Sequence, residues 1–216
     1  MTNVSKQMDE LLNTASEKGK TLLLHSCCAP CSSYVLTYIC STYRVTVLYF
    51  NPNITEAAEY EKRAAEEKRF IDEINAKGIP AFPIRYLDGR YDSKEFLDAV
   101  KGYESCPERG ERCAICFRLR LSESARVAAE GKYDYFATTL TLSPLKDAAL
   151  LNRIGEEEGI RFGVKYLPSD FKKKGGYLKS IELSKEYGLY RQEFCGCLFS
   201  RAERERLKAG QRSNTE

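Results

Sequence analysis

The stretch Thr21-Leu-Leu-Leu-His-Ser-Cys-Cys-Ala-Pro-Cys31 joins a short apolar run to a turn that carries three cysteines. Its first five residues are typical of a buried β-strand, because apolar runs of this length bounded by a turn are common in parallel sheets. Pro30 suits the first turn of a following helix, where its missing N–H leaves no hydrogen bond unmade. We therefore expect a strand, a thiol-lined turn and a helix, in that order.

The rest of the chain alternates between short apolar runs and longer charged stretches with helical periodicity. Strands are predicted at residues 21–25, 44–50, 81–86, 133–137 and 163–166. Helices are predicted at residues 32–43, 55–77 (capped by Thr55), 96–101, 113–131, 145–158 and 177–186. Strands separated by helices favour an α/β fold, with a Rossmann-like, mostly parallel sheet and helices on both faces.

The composition fits one catalytic domain over residues 1–200, followed by a basic C-terminal helix or tail over 201–216. The 34 basic and 31 acidic residues leave a formal charge of +3, which is too small to indicate a nucleic-acid partner by itself. The basic runs Lys172–Lys174 and Arg201–Arg212 are either solvated helix faces or phosphate contacts. Residues 211–216 are expected to form a disordered end.

The sequence contains no apolar run near the ~20 residues that span a membrane. The N-terminus is polar and charged, without the apolar core or cleavage site of a signal peptide. We therefore expect a cytoplasmic protein, which also disfavours a secreted disulfide framework for its cysteines.

Nine cysteines distinguish this chain of 216 residues, and eight of them fall into three short groups. The groups are Cys27-Cys28-Ala-Pro-Cys31, Cys106-x6-Cys113-Ala-Ile-Cys116 and Cys195-Gly-Cys197. Thiolates so close together are good chelators, and Cys-x2-Cys recurs in both zinc and iron–sulfur sites. The ninth, Cys40, fits a buried small hydrophobe. The pattern predicts a metal–sulfur site.

Ligands of parallel α/β sheets bind at the carboxyl ends of the strands. This rule places Ser26–Cys31, Asn51–Asn53 and Thr138–Ser143 around one mouth. The turn after the first strand has no glycine and does not suit nucleotide phosphates, so ATP chemistry is disfavoured. We expect a nucleotide-hydrolase-like sheet in which a Cys-rich turn stands where such folds carry their phosphate loop.

Two cysteines from each of the first two groups would form a four-thiolate site for either zinc or a 4Fe-4S cluster. The Cys195-Gly-Cys197 pair permits two further metal ligands or a strained, easily reduced disulfide. Two other functions stay open on this evidence: a thiol–disulfide oxidoreductase without metal, and a zinc-stabilised RNA-binding module.

Five blocks of sequence, in order over about residues 20–200, resemble the QueH-type epoxyqueuosine reductases. They are Leu24-His-Ser-Cys-Cys-Ala-Pro-Cys31, Tyr49-Phe-Asn-Pro-Asn-Ile54, Cys113-x2-Cys116-Phe-x-Leu-Arg120-Leu121, Thr138-Thr-Leu-Thr-Leu-Ser-Pro144 and Leu189-Tyr-Arg-Gln-Glu-Phe-Cys-Gly-Cys-Leu-Phe-Ser200. The resemblance implies a 4Fe-4S cluster and a two-electron removal of the epoxide oxygen of epoxyqueuosine in tRNA, the last step of queuosine biosynthesis. It also implies two partners, the modified tRNA and an external electron donor.

The resemblance further implies roles for the cysteines. Cluster ligands correspond to Cys27, Cys28, Cys113 and Cys116. The family's Cys-x-Cys corresponds to Cys195 and Cys197, which are either a redox-active pair or ligands of a second, mononuclear iron. Two more thiols either bind that second metal or line the site, namely Cys31 and Cys106.

Several polar residues beside these motifs are candidates for catalysis or substrate binding. Asp170 is a candidate acid or metal ligand, with capping of a turn as the alternative. His25 ends a buried strand and is equally consistent with a hydrogen-bonded core group. Lys146 and Asp147 are interpreted as the start of a helix. The candidates for contacts to a base or a phosphate are Tyr49, Asn51, Asn53, Arg191 and Gln192, with an ion pair to Glu193 or Glu186 as the alternative for Arg191.

Overall fold

The computed structural model describes residues 4–212, with side chains over 4–209. Five strands form one parallel sheet: β1 Thr21–His25, β2 Arg44–Tyr49, β3 Arg85–Asp88, β4 Tyr135–Thr138 and β5 Lys165–Tyr166. Their order across the sheet is β3-β2-β1-β4-β5, so β1 is central. Leu22 of β1 pairs with Val45 on one side and with Tyr135 on the other. The predicted fold class is confirmed.

Eight α-helices surround the sheet in the described part of the chain. They are α1 Val4–Leu12, α2 Ala29–Ile39, α3 Ala57–Ala76, α4 Ser93–Ala99, α5 Glu111–Glu130, α6 Ala148–Phe162, α7 Gly176–Glu186 and α8 Leu198–Arg212. Short 3-10 helices occupy Ala15–Glu17, Thr139–Leu142 and Lys173–Gly175. None of the described helices is long and apolar enough to cross a membrane.

Successive side chains of β1 point to opposite faces of the sheet, as the pleat of a strand requires. Leu22 and Leu24 belong to a buried cluster with residues of α2 and α3. Leu23 belongs to a second cluster, formed with residues of α5 and α6. Because helices cover both faces, β1 is apolar throughout rather than alternating, and its end is held rigidly at the carboxyl edge of the sheet.

The largest error in the predicted strands concerns β3, which begins at Arg85 rather than at residue 81. Prolines at 80 and 83 have no N–H to donate to a strand ladder. The backbone of Ile84 is bonded instead to the side chain of Asn75, which donates to its carbonyl and accepts from its N–H, both at 2.9 Å. The apolar run 79–84 is therefore an irregular segment packed on α3.

The predicted cap of α3 is also wrong, because the helix begins at Ala57 and Glu56 occupies the N-cap position. The N–H of Thr55 instead donates to the carbonyl of Gly196 at 3.2 Å, which ties this loop to the last cysteine pair. Helix α2 starts three residues earlier than predicted, directly behind Cys28. The thiol turn therefore opens this helix.

The C-terminal helix α8 begins at Leu198 and runs to Arg212. Its first turn packs on the rest of the fold, since Phe199 meets Phe96 at 6.4 Å between ring centroids. The division between a domain ending at residue 200 and a tail stays a prediction. Of the predicted disordered end, residues 211–212 lie in the helix, and residues 213–216 lie outside the described part.

Candidate metal centre

The three cysteines of the turn after β1 converge on one point. The sulfur atoms of Cys27, Cys28 and Cys31 all lie within 4.8 Å of one another, and those of Cys27 and Cys28 are 3.7 Å apart. Over residues 4–209 no other three His, Cys, Asp or Glu ligand atoms meet this spacing. All nine cysteines are free thiols. Three sulfurs so close together form one face of a metal site.

The local backbone explains this convergence. Side chains of adjacent residues in a strand point to opposite faces, which would separate Cys27 from Cys28. Cys28, however, has an extended backbone (φ −178°, ψ 153°) directly before the first residue of α2. Cys31 then lies in the first turn of that helix, where its N–H donates to the Cys28 carbonyl at 3.0 Å. The helix dipole favours thiolate over thiol at this position, but contacts with Cys27 and Cys28 and burial raise the pKa of Cys31 well above its usual range in the metal-free protein.

The remaining site cysteines line an adjoining cavity. A narrow space of about 20 Å³ is bordered by Cys113, Cys116, Cys195 and Cys197. Cys195 also lines a wider cavity of about 180 Å³, together with Cys27 and Cys31. Cys195 therefore stands where the two cavities meet, and the fold brings all three sequence groups to one place.

Two cysteines lie outside this arrangement. Cys106 lines neither cavity among the described residues, and its carbonyl accepts a hydrogen bond from Arg112 in the loop before α5. Its proposed place at the metal stays a prediction. Cys40 is 2% exposed within the core, as its sequence setting indicated, and burial raises the pKa of its thiol.

Helix α3 holds the segment that carries the last cysteine pair. Glu66 accepts the backbone N–H of Tyr190 at 2.7 Å. Arg63, which is 2% exposed, donates to the carbonyl of Cys195 at 3.2 Å and pairs with Glu59 at 2.6 Å. Glu66 and Arg63 on the charged face of α3 therefore hold the segment that carries Cys195 beside the cavities. We call this pair of contacts the clamp of α3.

Gly196 lets the Cys-Gly-Cys segment approach the loop after β2. Its φ of +122° lies in a region that side chains disfavour. A Cβ atom there would also lie 2.8 Å from Ile54 Cγ1 and 3.4 Å from Asn53 Nδ2. Beyond it, Cys197 Sγ accepts the N–H of Ser200 at 3.4 Å. The position between the two cysteines therefore requires glycine, because any side chain there would collide with the loop after β2.

The predicted substrate contacts after β2 are mostly buried. Tyr49 is fully buried between Tyr60 and Tyr86, and Asn51 donates to the Ser26 carbonyl at 2.8 Å. Of the three candidates, Asn53 alone lines one of the two thiol cavities, and its Oδ1 has no hydrogen-bond partner among the described residues. Contacts of Tyr49 and Asn51 to a base stay a prediction, while their observed contacts support the floor of the site.

Arg191 and Gln192 both line the wider cavity. Gln192 Nε2 donates to Cys28 Sγ at 2.9 Å, so this amide contacts a predicted ligand sulfur. Arg191 donates to Ser184 Oγ at 3.0 Å. The alternative of an ion pair with Glu193 is not what the structure shows, because Glu193 pairs with Lys208.

His25 and Asp170 line neither of the two thiol cavities. His25 is fully buried, with Nδ1 2.9 Å from Thr138 Oγ1 and Nε2 3.0 Å from the Phe50 carbonyl. Burial lowers its pKa to about 4, so the ring is neutral at physiological pH. Asp170 lines a separate cavity beside Tyr34, and its carboxylate is 3.2 Å from Lys172 Nζ. A catalytic role for Asp170 stays a prediction.

Two cations of the site were not singled out from the sequence. Lys146 lines the wider cavity. Burial lowers its pKa, but the charges of Cys195, Cys27 and Cys31 together raise it by more, so the pKa lies above its usual value. Arg120 lines both cavities and is 1% exposed. Arg120 had a usable signal, because it follows Cys116 by four residues and so shares its helix face. Lys146 had none, since it lies in a loop before α6.

A buried carboxyl group supports the thiol turn from behind. Ser32 Oγ donates to Glu67 Oε1 at 2.5 Å and lies 3.2 Å from Ser26 Oγ. Glu67 of α3 is completely buried, and this burial raises its pKa to about 7. The two serines flank the cysteines, so Glu67 fixes both ends of the turn.

Glu67 and His25 give opposite pH dependences to the stability of the metal-free protein. Glu67 binds its proton up to about pH 7 when folded and up to 4.5 when unfolded, so its contribution is lost as pH rises between these values. The contribution of neutral His25 is lost as pH falls from 6.5 towards 4. Between pH 4.5 and 6.5 the contributions of these two groups therefore have opposite slopes.

Glu67→Gln removes the contribution of Glu67 and leaves that of His25. We therefore expect the free energy of unfolding of this variant to rise from pH 4.5 to 6.5. At 1.36 kcal/mol per pKa unit, the difference between native and variant protein changes by about 3 kcal/mol over pH 4.5–7. Urea unfolding at several pH values measures it. Glu66→Gln is the matched control: hydrogen bonds from Arg69 lower the pKa of Glu66 from 4.5, so its contribution changes at more acidic pH and this variant should keep the native slope over pH 4.5–7. Parallel pH curves for native protein and Glu67→Gln would contradict the assignment.

The fold and the site together define a class: α/β proteins with a Rossmann-like sheet whose first turn presents three clustered thiols, a candidate metal site, instead of a phosphate loop. The family model described as epoxyqueuosine reductase QueH matches residues 22–203. The chain belongs to this family of oxidoreductases, as its sequence motifs predicted.

Relatives named epoxyqueuosine reductase QueH match over most of their length. The Staphylococcus epidermidis protein is 39% identical over 202 residues, covering 92% of this chain and 84% of the relative. The Streptococcus pyogenes serotype M1 protein is 40% identical over 197 residues, covering 91% and 76%. The Thermotoga maritima protein is 35% identical over 187 residues, covering 85% and 92%.

Proposed function

We propose that this protein is an epoxyqueuosine reductase that removes the epoxide oxygen of epoxyqueuosine in tRNA and so produces queuosine. Its relatives carry the name of this activity. One structural observation supports it most: Cys195 lines both cavities, and these two cavities with the adjoining thiol turn bring together seven thiols from all three cysteine groups. A single tetrahedral zinc takes at most four thiolates, so this number favours redox chemistry over a structural zinc.

The donor set fits an iron–sulfur centre. Cys27, Cys28, Cys113 and Cys116 would hold a 4Fe-4S cluster, and Cys195 and Cys197 would hold a neighbouring iron or form a redox pair. Cys31, which shares the sulfur triangle of the thiol turn, is a further ligand for either metal. When bound, the cluster supplies single electrons, and an iron with an open position supplies a Lewis acid for an epoxide oxygen.

The chain's own residues prepare the wider cavity for negative charge. Reduction of an epoxide to an alkene takes two electrons and two protons and releases the oxygen as water. Negative charge develops on that oxygen as the C–O bond breaks, and fixed cations stabilise it. Arg120 and Lys146 line the cavity beside the thiols, and neither pairs with a carboxylate among residues 4–209. Lys146 holds its proton firmly, so it serves as a fixed charge facing the reacting oxygen.

The structure favours the cavity rim, which includes Arg204 of the C-terminal basic run, over the ion-paired cations of the basic runs as the place for tRNA phosphates. Lys172 pairs with Asp170, Lys174 pairs with Asp9, and Arg201 pairs with Glu56. In contrast, Arg191 and Arg204 line the cavity without a carboxylate partner within the described side chains. Unpaired cations at a rim suit phosphates that flank a base turned into the pocket.

Iron and acid-labile sulfide content after strictly anaerobic purification is the first test. We expect about four irons and four sulfides per chain, or slightly more iron, and conversion of epoxyqueuosine to queuosine within the tRNA when a strong reductant is supplied. Cys28→Ala is expected to lose the iron, whereas Cys40→Ala, which removes a buried thiol far from the site, is expected to keep it. Zinc near one per chain, without sulfide after reconstitution, would favour the zinc-stabilised RNA-binding module instead.

A further inference from the structure

Within residues 4–209, Arg120 is a buried cation without a carboxylate partner. Three arginines of the described chain are almost completely buried, with exposures of 1–3%. Arg63 pairs with Glu59, and Arg112 donates to three carbonyls of the loop before α5. Arg120 makes one side-chain hydrogen bond, from Nε to the Cys116 carbonyl at 3.3 Å.

The rest of its guanidinium is unsatisfied by residues 4–209. Arg120 Nη2 is buried and has no hydrogen-bond partner there. Its nearest aromatic neighbour is Phe117, whose ring centroid is 5.7 Å from Arg120 Cζ. A buried charge without a partner is strongly unfavourable, so the fold must supply an anion at this place in the functional state.

The cysteines of the site become the anions beside Arg120 when they are thiolates. Arg120 lines both thiol cavities, and α5 places Cys113, Cys116 and Arg120 at spacings of three and four residues on one helix face. Burial lowers the pKa of Arg120, but the charges of Cys116, Cys195, Cys27 and Cys113 raise it by more. One guanidinium thus faces members of all three cysteine groups.

We propose that Arg120 is the built-in counter-charge of the sulfur centre, a positioning residue that stabilises metal-bound thiolates and makes the centre easier to reduce. The inference rests on the proposed function, because it requires these thiolates to bind a metal. A fixed positive charge and N–H···S hydrogen bonds favour the electron-rich state of such a centre and raise its reduction potential.

The first test compares melting temperatures of the reduced metal-free protein and of protein loaded with zinc chloride. In Arg120→Met an apolar side chain replaces a cation that lacks its anion when the thiols are protonated. We therefore expect an unchanged or higher melting temperature without metal, and a smaller rise on adding zinc. A purely structural Arg120 would lower both melting temperatures equally, and that result would overturn the proposal.

The second test is a reductive titration of the reconstituted iron–sulfur protein. Arg120→Met is expected to make reduction at least tenfold less favourable, which is about 59 mV for a one-electron couple. Arg120→Lys keeps the charge and is expected to restore most of this loss. The matched control is Arg118→Met on the same helix, because Arg118 is exposed and pairs with Glu157 and Glu158.

The two tests separate this inference from the proposed function. Zinc binding without an iron–sulfur cluster would sink the reductase, yet the melting comparison would still decide the role of Arg120. A cluster with the same potential in Arg120→Met and Arg118→Met would overturn the counter-charge and leave the reductase intact. Where Arg120→Met does not fold, Arg120→Gln removes the charge and keeps a donor. A native chain that binds neither metal refutes both.

Discussion

Replacing Cys195 and Cys197 together with serine is expected to abolish turnover while the iron–sulfur absorbance stays. The cluster ligands implied by the family motifs are Cys27, Cys28, Cys113 and Cys116, whereas Cys195 lies at the junction between the two cavities. Lewis-acid activation by a metal supplies several kcal/mol, and each 1.36 kcal/mol is a factor of ten in rate. The double variant should therefore retain about one thousandth of the native rate or less.

Serine is the informative replacement because it preserves local structure. A serine Oγ at position 197 still accepts the Ser200 N–H that Cys197 Sγ accepts now. Cys40→Ser is the matched control, since it removes a buried thiol that lies in the core and outside the site. Iron and sulfide analysis with single-turnover assays on epoxyqueuosine tRNA measures both effects. Unchanged turnover would contradict the assignment, and loss of cluster and turnover together would make the pair cluster ligands.

Strand β1 and the thiol turn were predictable from local sequence, because their causes are local. Strand β1 has the predicted bounds, since a continuous apolar run is what a strand covered on both faces requires. Strand β3 was misplaced because its apolar residues satisfy a hydrophobic pattern, while two prolines and the side chain of Asn75 decide the backbone hydrogen bonds. The hydrophobic pattern predicts which residues are buried, but not which groups form the backbone hydrogen bonds between strands.

The partners of charged residues were not predictable, because they come from distant parts of the chain. Residues 57–76 have the composition of a solvated charged helix, yet Arg63 donates to a carbonyl 132 residues away. Net charge likewise could not show that Lys172 and Lys174 are neutralised by acidic neighbours. Arg120 is the exception, since its spacing from Cys116 already put it on the ligand face of α5.

Arg63→Ala is expected to destabilise the metal-free protein by about 3 kcal/mol or more. Removing one partner of a buried ion pair typically costs 3–5 kcal/mol, because the other partner and the freed acceptors lose their compensation. Arg63 is 2% exposed, and its loss leaves the carbonyl of Cys195 without this donor and Glu59 with only the hydroxyl of Tyr190 among the described residues. Urea unfolding at neutral pH measures the change in the free energy of unfolding.

Arg69→Ala provides the comparison on the same helix, because Arg69 makes ion pairs of similar length with Glu66 and Glu73 but its side chain is 44% exposed. Exposed pairs contribute about 1 kcal/mol or less, so burial rather than distance should separate the two variants. Arg63→Ala should also weaken metal binding, since the carbonyl that it anchors belongs to Cys195 itself. Equal destabilisation by the two variants would show that the buried contacts of Arg63 contribute no more to stability than the exposed ion pairs of Arg69. A larger loss for Arg63→Ala, accompanied by weaker metal binding, would show that α3 sets the position of the last cysteine pair.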